Sequence, residues 1–376
     1  MNNSPIWVCA PDSFKGTQSA VAVSEAIAQG LRRGGAGHVR CIPMADGGEG
    51  SLEALSAALP VEWATEEVAH VLPERGVRGV RWLRMPSGEV VLESAVVVGL
   101  TLIDPGDRDP EEASTYGYGQ LLGAVLEARP QQVVLALGGS ATVDGGLGML
   151  QALGARLSVG GRELERPFIG GDLGSLESID LEPARRQLAG CSLVVATDVQ
   201  SPLLGPQGAV QLFARQKGAS DEALLRLEAG LARVAELLDD SGIAAGDGAA
   251  GGLGFGARVG LGAQIQSGAR FIAEATGLIG ACADAGGVVT GEGCYDEQTQ
   301  QGKVAWEVAK IATDAGIPCG IVAGSIDRTA KQLSEDPFAW HVSLADLAQQ
   351  HPECTTDAQR LAVAGEAIAR SLNEPT

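Results

Sequence analysis

Val133-Val134-Leu135-Ala136-Leu137-Gly138-Gly139-Ser140-Ala141-Thr142-Val143-Asp144-Gly145-Gly146-Leu147-Gly148-Met149-Leu150 holds three signals in one run. Five consecutive apolar residues, two of them β-branched, suit a short strand buried on both faces. A glycine-rich turn follows, and then a helical pattern over residues 145–153. The same order recurs outward from this stretch. Residues 6–10 read as a buried strand and 17–33 as a helix with Val23, Ile27 and Leu31 on one face. Residues 38–45 and 50–59 repeat it, with Leu52, Leu55 and Leu59 inward, and 288–290 with 302–315 repeat it again. Residues 319–323 add a strand and 356–372 a closing helix. Strands alternating with helices predict an α/β protein with a mainly parallel sheet.

Two stretches break this rhythm. Residues 62–103 contain strand-like pieces joined by Pro73-Glu74-Arg75-Gly76 and Pro86-Ser87-Gly88, which suit antiparallel hairpins. Residues 220–238 read as a long amphipathic helix striped by Leu224, Leu227, Leu231, Val234 and Leu238. The expectation is a discontinuous first domain, 1–65 with 282–376, carrying an inserted α/β domain at 66–281.

Composition limits the function classes. The 376 residues fit two domains, and 45% hydrophobic with 20% charged residues is globular. A formal charge of -20 opposes a nucleic-acid or anionic-membrane surface. No apolar run is long enough for a membrane span, and residues 1–7 lack signal-peptide character. The seven cysteines form no C-x-x-C pair, so no disulfide framework or zinc site is expected, and the cytoplasm is the expected location. Nothing in the sequence sets an oligomeric state.

Six glycine-rich segments mix small residues with carboxylates, hydroxyls or lysine. They are Asp12 to Gly16, Asp46 to Gly50, Gly138 to Gly146, Asp198 to Gly218, Gly246 to Gly256, and Thr290 to Lys303. Glycine lets backbone N–H groups approach an anion, and a following helix adds its N-terminal donors. Nearby carboxylates are what magnesium requires, since it prefers oxygen ligands. Taken singly, each segment reads more readily as a tight turn than as a phosphate loop, and Glu49 and Asp144 read as helix caps. Six at the ends of expected strands point to a ligand site. Of only five lysines, Lys15, Lys217 and Lys303 lie inside these segments, where arginine elsewhere supplies most positive charge. Gly302-Lys303 lacks the upstream glycine of a Walker loop. Gly252 to Ala257 matches G-x-G-x-x-A with no strand before it, a weak dinucleotide signal. The four histidines fall outside the glycine-rich segments and read as structural.

Ala10 to Gly16, Ala45 to Gly50, Gly138 to Gly146, Asp198 to Gly208, Gln216 to Ala219, Gly248 to Gly254 and Thr290 to Lys303 together resemble the bacterial glycerate kinase family without a P-loop. The resemblance runs in order along nearly the whole chain. It implies ATP and magnesium as cofactors, D-glycerate as acceptor, 2-phosphoglycerate as product, and a Rossmann-like domain with an active cleft between the two domains. Cys294 stands where the family commonly has arginine, Val143 and Ser201 where it has asparagine, and Asp247 where a small residue is usual. Arg215 and Arg258 are candidates to take over the missing arginine's role.

Lys15 and Lys303 are expected to neutralise phosphate charge. Asp46, Asp198 and Glu292 are candidates for magnesium or for orienting the acceptor hydroxyl, with Asp296 as a further base. Ser13, Gly47, Gly48, Glu49, Gly139, Ser140, Thr142, Lys217, Glu292 and Thr299 complete the expected substrate and phosphate contacts. Two other classes compete: a dinucleotide oxidoreductase, opposed by the missing strand–glycine–helix unit, and a non-enzymatic binder of a small acid. A sibling kinase acting on another hydroxy acid is the nearer alternative.

Overall fold

The computed structural model describes residues 6–14, 16–297 and 299–371. In chain order the strands are β1 Ile6–Cys9, β2 His38–Cys41, β3 Glu62–Ala69, β4 Val77–Arg84, β5 Val90–Glu93, β6 Gln132–Ala136 and β7 Arg156–Val159. They continue as β8 Arg162–Glu163, β9 Leu176–Asp180, β10 Ser192–Ala196, β11 Gln264–Gln266, β12 Ala285–Tyr295, β13 Cys319–Ile326 and β14 Trp340–Ser343. The chain divides into two compact units. Met1–Asp46, Glu53–Leu59 and Ala269–Thr376 form the first, and Gly47–Leu52 with Pro60–Gly268 the second.

The first unit is built on a five-stranded sheet in the order β14-β13-β12-β1-β2, parallel throughout. Trp7, Cys9, Val289 and Val322 project from it into a core shared with Val23, Ile27, Leu31, Leu361 and Ile368. The first helix, Ala20–Arg33, starts later than its periodicity predicts, because Ser19 takes the N-cap and accepts from the Ala22 N–H. Residues before it close a turn in which Phe14 and Gln18 exchange backbone hydrogen bonds at 2.9 and 3.1 Å. β12 is much longer than the expected 288–290. It runs straight through Gly291-Glu292-Gly293, pairing Glu292 with Ala323 and Cys294 with Ser325.

The second unit holds a mixed six-stranded sheet, β11-β10-β6-β5-β4-β3, and a small antiparallel sheet, β8-β7-β9. The expected hairpins are present: β3 with β4 and β4 with β5 are antiparallel. β5 then joins β6 in parallel, as do β6 with β10 and β10 with β11. The long helix, Asp221–Leu237, is capped by Ser220 and buries Leu224, Leu227, Leu231 and Val234. The glycine-rich segments after β1, β2, β6 and β10 follow the C-terminal ends of parallel strands, where ligands of open α/β sheets bind, whereas Gly246–Gly256 follows a helix and Thr290–Gly293 lies within β12.

Candidate active site

In the second unit four loop ends meet. A β-carbon on Gly47 would lie 2.6 Å from the Ala196 carbonyl oxygen and 2.8 Å from the Gly268 Cα, and its φ of +82° also excludes side chains. A β-carbon on Gly138 would lie 2.7 Å from the Gly48 Cα, and one on Gly139 3.5 Å from the Glu49 Oε2. Asp198, just past β10, accepts from the Ser267 hydroxyl at 2.7 Å and the Gly268 N–H at 3.0 Å. Gly47, Gly48, Glu49, Gly139 and Asp198 are therefore brought together by backbone packing.

Ser140, Thr142 and Lys217 form the next layer. Lys217 is 3% exposed and donates from Nζ to the Thr142 carbonyl at 2.7 Å and the Ser140 Oγ at 3.2 Å. Burial drives its pKa down to about 7, opposed only by the field of Asp144. Asp144 itself is fully buried and accepts from the Thr115 N–H and hydroxyl and from the Gly146 and Gly148 N–H groups. Burial raises its pKa and those four bonds oppose the rise. Asp144 thus ties Thr115 to the start of the helix Leu147–Ala152, whose N-cap position is Gly146. The Gly246–Gly256 segment also has a packing role: a β-carbon on Gly251 would meet the Thr142 carbonyl oxygen at 1.9 Å. No strand precedes Gly252, so the weak dinucleotide signal has no structural counterpart.

The first unit gathers a second set. Glu292 on β12 is 6% exposed and accepts from the Thr299 hydroxyl at 2.8 Å, with Lys303 Nζ at 3.7 Å. Burial pushes its pKa up to about 7, while Thr299 and Lys303 pull the other way. Lys303 reaches Asp296 at 3.4 Å and stands at the N-cap of the helix Val304–Ala315. The Asp296 N–H donates to the Thr299 Oγ1 at 3.3 Å. Ser13 is half-buried, its N–H on the Asp12 carboxylate at 2.7 Å, and Asp46 is half-buried beyond β2. Lys15 lies outside the described residues.

Arg258 is committed to carboxylates of its own unit, and Arg215 stands in a surface ion pair. Arg258 donates to buried Asp247 at 2.6 and 2.8 Å and to Asp240 at 3.0 and 3.3 Å. Asp247, unusual by the family pattern, is explained by that pair. Arg215 is exposed and bridges Asp221 at 2.7 Å. Sequence reasoning missed Glu93, whose carboxylate accepts from the Gly50 and Leu52 N–H groups at 3.2 and 3.0 Å. Its signal was a charged residue ending the apolar run Val90-Val91-Leu92.

Among the described residues no three histidine, cysteine or acidic side chains gather as a metal cluster. The donor chemistry nevertheless fits magnesium, which takes one or two carboxylates and completes its shell with water and substrate phosphates. Asp198, Glu292 and Asp46 offer such oxygens. No helix among the described residues is long and apolar enough to cross a membrane.

Comparison with known proteins gives one consistent result. Residues 7–373 match the model of the glycerate kinase family. The glycerate 2-kinase of Escherichia coli K12 is 38% identical over 329 residues, 85% of each chain. The glycerate kinase of Bacillus subtilis is 38% identical, covering 87% of this chain and 86% of its own. A Salmonella typhimurium LT2 crystal structure, provisionally described as glycerate kinase 2, superposes with a TM-score of 0.80 at 34% identity and 99% coverage of both chains. The chain belongs to the glycerate kinase family.

Proposed function

We propose that this protein transfers the γ-phosphoryl group of ATP to the 2-hydroxyl of D-glycerate, giving 2-phosphoglycerate and ADP. The observation that carries the reading is the meeting of Gly47-Gly48, Gly138-Gly139 and Asp198 in one small region of the second unit, with Lys217 buried beside it. Such backbone, bare of side chains, lets phosphoryl oxygens approach closely where a β-carbon would block them. The named relatives supply the acceptor: the Escherichia coli protein is a glycerate 2-kinase.

In this reading Lys303 and Lys15 offset phosphate charge. Magnesium, when bound, would neutralise the nucleotide phosphates, with Asp46, Asp198 and Glu292 as its candidate ligands. The hydroxyl oxygen attacks the γ-phosphorus, the bond to ADP breaks, and Asp296 or Asp46 receives the hydroxyl proton. Positioning and charge stabilisation dominate, as phosphoryl transfer needs little covalent help. A cytoplasmic setting fits seven cysteines that are all unpaired.

The test is ADP release from magnesium-ATP by purified protein with D-glycerate, L-glycerate, lactate, tartronate or no acceptor. D-glycerate-dependent release is expected. Release with another acid would move the substrate and keep the kinase, and silence from folded protein would sink the reading.

A further inference from the structure

The second unit contains a cavity of about 300 Å³ beside β4 and the short helix Ser94–Val98 that follows β5. Its lining includes Glu49, Arg78, Arg81, Ala95 and Thr101. It shares a wall with the glycine-rich loop after β6, since a β-carbon on Gly139 would lie 3.4 Å from the Ala95 Cβ and 3.5 Å from the Glu49 Oε2. The cavity therefore lies next to the loop that carries Gly139.

Arg78 is its distinctive member. It is half-buried and donates to the Val96 carbonyl. Among the described residues no carboxylate lies within 4.0 Å of it. Burial alone acts on its charge and lowers its pKa, with no anion to restore it. Among other half-buried arginines of this unit, Arg258 is held by Asp247 at 2.6 Å, while Arg84 and Arg108 reach the Gly88 and Ile103 carbonyls and do not line this cavity. A guanidinium stays charged in any such setting and presents a planar fork suited to carboxylate. Arg81, exposed beside it, is held over the Trp63 ring at 4.8 Å. The cavity volume lies at the bottom of the range for ligand pockets, which suits a small acid better than a nucleotide.

We propose that this cavity is the acceptor subsite, in which Arg78 binds the carboxylate of a small hydroxy acid while Glu49 and Thr101 face its hydroxyl groups. The assignment rests on the glycerate kinase reading and adds to it the place and the partner of the acid group. Nucleotide phosphate is the rival occupant for the same cation.

The experiment compares wild type with Arg78→Ala and Arg78→Gln. Glutamine retains a donor for the Val96 carbonyl, and circular dichroism checks the fold of each variant. Steady-state rates are taken with D-glycerate and with its neutral amide, D-glyceramide. For both variants KM for D-glycerate is expected to rise between about tenfold and a hundredfold, with KM for ATP changing less than about twofold. The acid-over-amide preference in kcat/KM should fall by a similar factor. An unchanged KM for glycerate in a folded variant overturns the subsite. A rise confined to KM for ATP gives Arg78 to the nucleotide and overturns it equally. If the wild type shows no turnover, the kinase reading fails. Calorimetric titration of D-glycerate into wild type and Arg78→Gln then decides the cavity alone: weaker binding by the variant supports it, and equal or no binding overturns it.

Discussion

Lys217 and Lys303 come from similar glycine-rich sequence and end in opposite surroundings. Lys303 is half-exposed with two carboxylates, Glu292 at 3.7 Å and Asp296 at 3.4 Å. Lys217 is buried and meets only a hydroxyl and a carbonyl. The first is a cation inside an acidic set. The second is an amine that burial brings to about half-protonated near pH 7. A motif lysine is therefore no single instrument: one stands as a cation between carboxylates, and the other ties the loop after β6 to the segment after Phe213 by hydrogen bonds.

A third charged group calibrates that contrast and carries the largest expected effect. Asp247 is fully buried, with Arg258 as its partner, so Arg258→Met strands a carboxylate rather than leaving an amine among neutral oxygens. A stability loss of about 3–5 kcal/mol is expected in urea unfolding. The folded fraction should keep normal kcat, because Arg258 is consumed by Asp247 and Asp240. A large loss of kcat in folded Arg258→Met would place it in the chemistry and break the division between structural and functional charge.

Lys303→Met comes next. If Lys303 supplies charge to the transferring phosphoryl, kcat should fall at least about a hundredfold with little change in urea midpoint. Glu292 and Asp296 would then lose their cation, and magnesium affinity, read from the concentration dependence of the rate, should rise rather than fall. Turnover within about threefold of wild type would make Lys303 another tie and erase the contrast with Lys217.

Lys217→Met should lower kcat/KM by about tenfold to a hundredfold through a displaced loop. Its pH signature is specific. The folded pKa of about 7 lies below the ordinary value of 10.5. Between those two values the unfolded chain binds the extra proton, so wild-type stability rises with pH relative to Lys217→Met. The slope is at most about 1.4 kcal/mol per pH unit. Below pH 7 both states are protonated and the difference is flat. A pH-independent difference in unfolding midpoint across pH 7–10 would mean that the buried amine keeps its proton.

This contrast lay beyond the sequence, for a physical reason. Strand, turn and helix periods announce themselves locally, so the alternation around residues 133–153 and the stripe from Leu224 to Val234 were legible. Helix starts were displaced by caps such as Ser19, and β7, β8, β9 and β11 were too short or too mixed to read, whereas β10, with Leu193 to Ala196 as apolar as β6, was passed over. Gly291 and Gly293 read as turn residues, yet both lie within β12. Site residues were legible as types, because glycine, carboxylate and lysine are what a phosphate site needs. Their protonation and partners were not, since these depend on burial by segments far apart in sequence. Lys217 meets Ser140 and Thr142 across more than seventy residues. Arg78 carried no motif at all, and only the cavity beside Glu49 singles it out.

The smallest effect tests what Ser140 is for. Ser140→Ala removes the 3.2 Å acceptor of Lys217 and leaves the 2.7 Å bond to the Thr142 carbonyl. If tying the loop is its role, stability should fall by about 1 kcal/mol. The ammonium form would lose an acceptor, so the rise in stability with pH should begin at lower pH than in wild type. KM for ATP and for D-glycerate should then move together and by less than about threefold. If Ser140 instead turns its hydroxyl to a substrate phosphoryl, the pH profile of unfolding stays where it is and one KM rises alone. That outcome would make the Ser140–Lys217 bond incidental, and the buried lysine would be held by the Thr142 carbonyl alone.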